Sequence, residues 1–200
     1  MWVVGKLSYL LLPTTHYQMS VFPKPYADAV ARLRVTSGFV LLIAFAWLSH
    51  PDAESLAAGL PVSVVGLLLR AWATGHLEKN TRLTESGPYA YVRNPLYLGT
   101  LLAAAGFVIA SQRWLLAALF AAVFLFIYLP VIELEEQHLR KLFPDFADYA
   151  KRVPPLWPTL HPAKSEHHFQ WRLYVRNREY QALLGFLAGA TFLIAKTIIW

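Results

Sequence analysis

The sequence contains no cysteine and little charge. Asp, Glu, Lys and Arg together make up 15% of its 200 residues. The absence of cysteine excludes disulfides, thiolate metal ligands and cysteine nucleophiles. Charged residues make up about a quarter of a typical soluble domain, so the low charged fraction here argues against an ordinary soluble domain.

Several common functional motifs are also missing. The chain has no P-loop, no GxSxG nucleophile motif, no GxGxxG after a strand and no HExxH. His76, His161, His167 and His168 do not form a metal-ligand spacing with carboxylates. We therefore predict no metal site.

The sequence is rich in long apolar segments. It is 56% hydrophobic, with a mean hydropathy of +0.40. A membrane span needs about 20 mostly apolar residues, and the segments here are Leu/Ala-rich without strand-like alternation. We predict an all-α polytopic membrane protein with about five transmembrane helices. The predicted segments are Val35–Pro51, Ser55–Leu69, Asn94–Gln112, Trp114–Ile132 and Tyr180–Ala195.

The basic residues predict the orientation. Lys and Arg concentrate before the first segment, between the second and third, and after the fourth. Basic loops face the cytoplasm, so the net charge of +6 indicates membrane orientation and not nucleic-acid binding. We expect an integral protein of the plasma (inner) membrane, with the N-terminus and active site cytoplasmic.

The chain divides into three parts. Residues 1–34 form an N-terminal cytoplasmic segment, residues 35–158 the membrane core, and residues 159–200 a cytoplasmic linker with a C-terminal transmembrane helix. Lys6 and Pro13 interrupt the start of the chain, so we predict neither a signal peptide nor a span in residues 1–24.

The stretch Gly87–Gly99, GPYAYVRNPLYLG, is the strongest local pattern. It places Tyr89, Tyr91 and Arg93 in a turn before an apolar helix. Asn94-Pro95 is typical of an N-cap and first helical residue, with the Asn side chain accepting from a free backbone N–H. Free N–H groups, the positive end of the helix dipole and an adjacent Arg favour a carboxylate or phosphate ligand.

A tight connection at Ser111–Arg113 predicts an antiparallel helical hairpin. It brings the Arg93 turn beside Glu135 and Glu136, and an amphipathic helix with apolar positions from Leu139 to Ala150 follows. Opposite charges on the two sides match a zwitterionic amino-acid ligand, and S-adenosylmethionine is one such compound. The tyrosines add faces for an aromatic ring or a cation.

Simpler interpretations remain open at this point. Asn94-Pro95 is also explained by helix capping alone, and Glu135-Glu136 by a solvated helix start. Arg93 is also explained by snorkelling or contact with lipid headgroups, and the tyrosines by an interfacial belt. Arg70 is either a snorkelling residue or the partner of a glutamate.

The two motifs together resemble a known superfamily. GPYAYVRNPLYLG, followed by EEQHLRKLFPDFADYAKRVPPLWP, is similar to the isoprenylcysteine carboxyl methyltransferase and phospholipid N-methyltransferase superfamily of membrane enzymes. The resemblance covers about residues 60–158. It implies a cytosol-facing pocket for S-adenosylmethionine. The implied cofactor-binding residues are Tyr89, Tyr91, Arg93, Asn94, Pro95, Tyr97, Leu98, Gly99, Glu135, Glu136, Tyr149 and Arg152.

The resemblance implies methyl transfer to a lipophilic carboxylate, amine or similar acceptor from the bilayer. Arg93 and Glu136 are the implied catalytic residues. The sequence departs from the pattern at Asn94, where the carboxyl methyltransferases have His, so a general base at this position is doubtful. Pro144 replaces the usual Gly, and Phe146 a usual Tyr. The alternatives are an NADPH-dependent membrane reductase of a sterol- or enone-like substrate and a non-catalytic lipid-binding protein.

Overall fold

The computed structural model describes residues 22–160, 162 and 167–199, and all regular secondary structure in that part of the chain is helical. The prediction of an all-α fold is therefore confirmed. Predictions about residues 1–21 lie outside the described residues. The helices are α1 (Lys24–Leu48), α2 (Ala53–Thr74), α3 (Pro95–Ser111), α4 (Trp114–Val123), α5 (Leu129–Leu142), α6 (Phe146–Arg152), α7 (Trp171–Arg176) and α8 (Tyr180–Ile199).

Three helical segments are long and apolar enough to cross a membrane: Ala53–Thr74, Trp114–Leu142 and Tyr180–Ile199. The bent pair Pro25–Leu33 and Thr36–Leu48 makes a fourth if it is one span. The described residues thus hold three to four candidate spans, against the expected number of about five. Helix α3 accounts for one of the missing spans, since it has 17 residues and Gln112 ends it in a left-handed conformation, and the bend in α1 accounts for the other.

Helices α2 and α3 pack closely because small residues line their contact. A Cβ atom on Gly59 would overlap the backbone around Gly106 and Ala110, and one on Gly66 would overlap the backbone of Ala103. The Ser63 hydroxyl donates to the Ala103 carbonyl at 2.7 Å. Close approach of small residues, with a hydroxyl bond between the helices, is typical of helix packing in membranes.

The helix after Arg113 does not end where the sequence predicts. Helices α4 and α5 are joined by a π-helical turn at Phe124–Tyr128, and the resulting rod continues to Leu142. Glu135 and Glu136 therefore lie within a helix. The interpretation of these glutamates as a solvated helix start is wrong, because helical backbone continues from Ile132 without a break.

The expected amphipathic helix after the glutamates is divided in two. Helix α5 ends at Leu142, Phe143 is extended, and α6 begins at Phe146. Phe146, Tyr149 and Val153 then form a buried cluster with Leu83, Leu139, Phe143 and Ala150 around it. Pro144 explains the break, since the residue before a proline avoids helical backbone.

An ion pair fixes α8 to the rest of the bundle. Arg70 donates from Nε to Glu179 Oε1 at 2.6 Å and from Nη2 to Oε2 at 3.0 Å. Its Nη1 reaches the Leu96 carbonyl and the Thr100 hydroxyl on α3. Arg70 is thus the partner of a glutamate, and it links α2, α3 and the residue before α8.

Candidate active site

A single 3₁₀ turn at Gly87–Ala90 precedes the Arg93 position. Gly87 has φ = 58°, a conformation that favours glycine. Tyr89 is buried, and its backbone carbonyl accepts a 2.8 Å hydrogen bond from the Tyr149 hydroxyl on α6. Burial raises the pKa of both tyrosine hydroxyls. The turn is therefore fixed to α6, and both phenols stay neutral at physiological pH.

A second backbone segment holds the residues next to α3. The Arg93 N–H donates to the Pro154 carbonyl at 2.8 Å, and the Asn94 N–H donates to the Pro155 carbonyl at 3.1 Å. The Thr159 N–H in turn donates to the Tyr91 carbonyl at 2.8 Å. We call residues 154–159 the strap. It fixes the Tyr91–Asn94 backbone although the two segments are far apart in the sequence.

The Asn94 side chain does not act as predicted. Asn94 occupies the N-cap position, but its side chain makes no capping hydrogen bond. Its Nδ2 instead donates to Glu136 Oε1 at 2.8 Å and to the Pro155 carbonyl at 3.2 Å. The predicted acceptance of a backbone N–H is wrong, because two acceptors from distant segments attract the amide. The first-turn N–H groups of Leu96 and Tyr97 are consequently not capped by this side chain.

Arg93 and Glu136 form a largely buried ion pair. Arg93 Nε lies 3.2 Å from Glu136 Oε1, and the two side chains are 11% and 15% exposed. The Nε–H is not directed at the carboxylate, so the Arg93 Nε is a buried atom without a hydrogen bond. Arg93 Nη1 donates to the Ala150 carbonyl at 3.0 Å. Both the Arg93 and the Asn94 contacts use Glu136 Oε1, and Oε2 takes no part in them.

A cavity of about 280 Å³ opens beside this cluster. Among the predicted site residues, it brings together Tyr89, Arg93, Asn94, Pro95, Tyr97, Glu135, Glu136 and Tyr149. Leu83, Leu139, Phe143 and Phe146 give the cavity an apolar side. The cavity thus combines charged groups, a helix N-terminus and an apolar wall.

Four predicted site residues do not line the cavity. Tyr91 is 39% exposed, and its ring packs against Trp72 with centroids 6.3 Å apart. Gly99 lies against α2, where a Cβ would come within 2.6 Å of Arg70 Cγ. Leu98 is absent from the cavity wall, and Arg152 pairs with Glu85 at 2.9 Å. The structure gives Tyr91, Gly99 and Arg152 packing or surface contacts instead.

Sequence reasoning missed the contribution of the loop between α2 and the 3₁₀ turn. Glu78, Lys79, Asn80, Arg82 and Thr84 line the cavity, as does His138 of α5. Burial lowers the pKa of Lys79, and the nearby Glu135 opposes this effect. The available signal was the density of polar residues in a short loop between apolar segments, which we used only to predict orientation.

Buried polar atoms without partners concentrate at this cavity. In the part of the chain that the structure describes, these atoms are Arg82 Nε, Thr84 Oγ1, Ser86 Oγ and Arg93 Nε. Three of the four belong to residues that line the cavity. Such atoms are rare in folded proteins, and a polar ligand in the cavity is one explanation for them. Residues 22–160, 162 and 167–199 contain no group of three or more His, Asp or Glu arranged to hold a metal ion.

Fold and site together define a helical membrane protein with a partly polar cavity at one end of its helices. Residues 55–145 match the model of the phospholipid methyltransferase family. The match confirms the resemblance to the integral membrane methyltransferase superfamily.

Two curated relatives were also found. One is a cobalt-zinc-cadmium resistance protein of Cupriavidus metallidurans, 34% identical over 119 residues, which are 58% of this chain and 53% of the relative. The other is a nickel-cobalt-cadmium resistance protein of Alcaligenes xylosoxydans xylosoxydans, 34% identical over 121 residues, or 58% of this chain and 57% of the relative. The chain thus spans about half the length of the curated relatives it matches. No solved structure matches the chain.

Proposed function

We propose that the protein transfers a methyl group from S-adenosylmethionine to a lipophilic acceptor held in the membrane. The observation that carries this proposal is the Arg93–Glu136–Asn94 cluster, which lies beside an uncapped helix N-terminus within the family-matching segment. The site supplies both signs of charge and an apolar wall, as a zwitterionic nucleoside ligand requires.

The sequence suggests that Arg93 and the two glutamates bind opposite ends of the ligand. Because Arg93 and Glu136 are paired with each other in the structure, we assign the roles differently. Because Glu136 already neutralises Arg93, the first turn of α3, where the Asn94 side chain makes no capping hydrogen bond, is the best place for the ligand carboxylate. Arg93 supports the same carboxylate with its remaining donors and orients Glu136. Glu136 Oε2 and Glu135 face the ligand ammonium or ribose, while Phe143 and Tyr97 pack against the adenine.

When bound, S-adenosylmethionine supplies a methyl group on a sulfonium, which is reactive without metal assistance. The protein's own contribution is then to align the acceptor and to exclude water. A carboxylate acceptor needs no base. An amine acceptor must lose a proton, and in this proposal Glu136, which lines the cavity, accepts it.

An apolar groove offers a place for the acceptor's hydrocarbon part. It has a volume of about 290 Å³ and is lined by residues of α1, α3, α4 and α8 and by Phe124 and Tyr128. Tyr128 lines this groove and Tyr97 lines the polar cavity, and their rings meet edge to face with centroids 6.1 Å apart. The polar end of an acceptor in the groove would thus approach the cavity at this pair of tyrosine rings.

Calorimetric titration of the detergent-solubilised protein with S-adenosylhomocysteine tests the proposal. We expect micromolar binding by the parent protein and its loss in Arg93→Ala and Glu136→Gln. Arg152→Gln is the matched control, because Arg152 belongs to the same motif but lies outside the cavity. It should bind like the parent.

If the folded parent protein binds NADPH and does not bind S-adenosylhomocysteine, the proposal is overturned in favour of the membrane reductase. Binding of neither compound would favour a non-catalytic lipid-binding protein.

A further inference from the structure

A second, larger cavity lies at the opposite end of the helical bundle. Helix α2 runs from Ala53 near this cavity to Thr74 near the candidate active site. The cavity measures about 1090 Å³. Its wall is formed by Ala46, Trp47, Leu48, His50, Pro51, Arg113, Trp114, Leu115, Phe192, Ala195, Lys196 and Ile199. The end of α1, the start of α4 and the end of α8 therefore meet here.

Among the residues that the structure describes, the wall of this cavity carries basic groups and no carboxylate. Lys196 Nζ donates to the Ala46 carbonyl at 2.9 Å, and Arg113 Nε donates to the Leu48 carbonyl at 3.1 Å. Arg113 Nε also contacts the His50 ring at 3.0 Å. These partners are uncharged or, for His50, basic. Among the described residues, neither Lys196 nor Arg113 forms a salt bridge.

Asp52, which directly follows the wall residue Pro51, makes its hydrogen bonds outside the cavity. Asp52 accepts from the Ser55 backbone N–H at 2.7 Å, as the N-cap of α2, and from the Gln112 side-chain amide. It is not part of the cavity wall. No described residue of the wall places a carboxylate beside Arg113 or Lys196, and the two Nη groups of Arg113 take no part in its contact with the Leu48 carbonyl.

Exposed aromatic side chains flank the basic groups. Trp47 is 82% exposed and Trp114 is 79% exposed, at the ends of two apolar helices. Tryptophan at such positions is typical of the boundary between lipid tails and headgroups. Phe192, Leu115 and Ile199 continue the wall with apolar surface. The cavity thus combines two cationic side chains with a surface suited to acyl chains.

We propose that this cavity binds an anionic glycerophospholipid, in the leaflet opposite the candidate active site. Lys196 and Arg113 contact the phosphate, and Trp47 and Trp114 lie along the glycerol and the upper acyl chains. Because the described part of the wall offers no carboxylate, the ammonium of a zwitterionic headgroup has no ionic partner among these residues. The site therefore prefers a headgroup with net negative charge. This inference does not depend on the proposed methyl transfer.

The competing explanation is that both cations only stabilise the C-terminal end of α1 by binding its carbonyls. That role accounts for the Ala46 and Leu48 contacts but predicts no preference among lipids. The two explanations are therefore separated by lipid selectivity and not by stability.

The test uses the full chain, purified in detergent and mixed with equal amounts of phosphatidylglycerol and phosphatidylcholine with identical acyl chains. Native mass spectrometry then measures which lipid stays bound. Each basic residue near an anionic lipid surface contributes about 1 kcal/mol, so we expect roughly a tenfold or greater preference for phosphatidylglycerol. The double variant Arg113→Gln/Lys196→Gln should bind both lipids equally.

Two further variants keep the experiment decisive. Arg113→Lys/Lys196→Arg retains the charge and should retain the preference, even if the double Gln variant fails to fold. Lys151→Gln/Arg152→Gln removes two cations from α6, at the other end of the bundle, and should leave the preference unchanged. Equal binding of both lipids by the parent protein, or an unchanged preference in a folded double Gln variant, would overturn the proposal. Displacement of phosphatidylglycerol by inorganic phosphate alone would show a site for free anions and would also overturn it.

Discussion

The Glu136 carboxylate on α5 lies 3.2 Å from the guanidinium Nε of Arg93, the second residue before α3. Both side chains are largely buried, so each charge depends on the other for compensation. Removing one partner of a buried pair costs about 3–5 kcal/mol, because the remaining charge is left uncompensated. The pair therefore affects stability as well as the proposed ligand site.

We predict that Arg93→Ala lowers the free energy of unfolding more than the double variant Arg93→Ala/Glu136→Gln does. The double variant leaves no buried charge at this place, so it should recover about 1–3 kcal/mol. Both variants should lose methyl transfer. Unfolding in mixed micelles and a labelled-methyl assay measure the two effects. Recovery of activity in the double variant would contradict the proposed ligand-binding role.

Gly59→Ala and Gly106→Ala should each destabilise the protein, since a Cβ at either position would meet the backbone of the facing helix. We expect a cost of about 1–3 kcal/mol, the usual range for overpacking. Gly185→Ala is the matched control on α8, because no atom lies within 4 Å of its Cβ position. The control should unfold at or slightly above the parent's midpoint. Equal effects at all three positions would argue against close packing of α2 and α3.

Stability should decrease as the pH rises above 10. The unfolded tyrosines lose their protons near the ordinary pKa of 10.0, while burial raises the pKa of Tyr89 and Tyr149 in the folded protein. The folded state then binds more protons than the unfolded state, and alkaline pH favours unfolding. Tyr149→Phe should make the decrease shallower and also cost about 1 kcal/mol at neutral pH, through loss of the hydrogen bond to Tyr89.

Tyr89→Phe separates these two effects. It also removes a buried phenol, but it keeps the hydrogen bond, because the acceptor is the Tyr89 backbone carbonyl. Its unfolding midpoint, followed in detergent across pH 7 to about 11, should show the shallower slope with a smaller loss at neutral pH. An unaltered slope in both variants would contradict the assignment.

Tyr128→Leu should change the use of the acceptor and leave binding of S-adenosylhomocysteine intact. Tyr128 lines the apolar groove and reaches the cavity only through its ring contact with Tyr97. We expect a KM for the acceptor raised roughly fivefold, from the loss of about 1 kcal/mol of ring packing. Calorimetry and steady-state kinetics report the two quantities separately. A loss of S-adenosylhomocysteine affinity would place Tyr128 at the cofactor instead.

The absence of cysteine makes the predicted orientation directly measurable. A single cysteine at Lys151, an exposed position on α6, should react with an impermeant maleimide only after the cells are opened. A single cysteine at Glu54, an exposed residue at the other end of α2, should react in intact cells. The reverse pattern would place the candidate active site outside the cytoplasm.

The sequence predicts the apolar helices well, because lipid imposes a composition that a single chain displays directly. The proximity of Arg93 and Glu136 was also within reach, since a tight turn at Ser111–Arg113 makes α3 and α4 antiparallel neighbours. The hydrogen bonds of Asn94 could not be predicted in this way. Its side chain could either cap α3 or donate to Glu136 and Pro155, and the sequence does not show that these two acceptors are near. Those acceptors come close only after the hairpin and the strap have formed.

The loop residues of the cavity were missed for a different reason. Lys79, Asn80 and Arg82 have no helical periodicity, so no pattern shows which of them points inward. Their positions depend on how the loop packs against α5 and α6. The continuation of the helix past Ile132 was also unexpected, since charged residues at a membrane exit are compatible with either a helix end or a helix that leaves the bilayer.

The strap also determines when the Arg93 turn can reach its final structure during synthesis. The Arg93 turn is translated well before Pro154, Pro155 and Thr159, the residues that fix its backbone. Glu179, the partner of Arg70, emerges later still. Chains fold during synthesis as their segments become available. The nascent chain therefore holds Arg70 and Arg93 before their partners Glu179 and Glu136 have been made, and the Arg93 turn gains its strap contacts only after Thr159 has emerged.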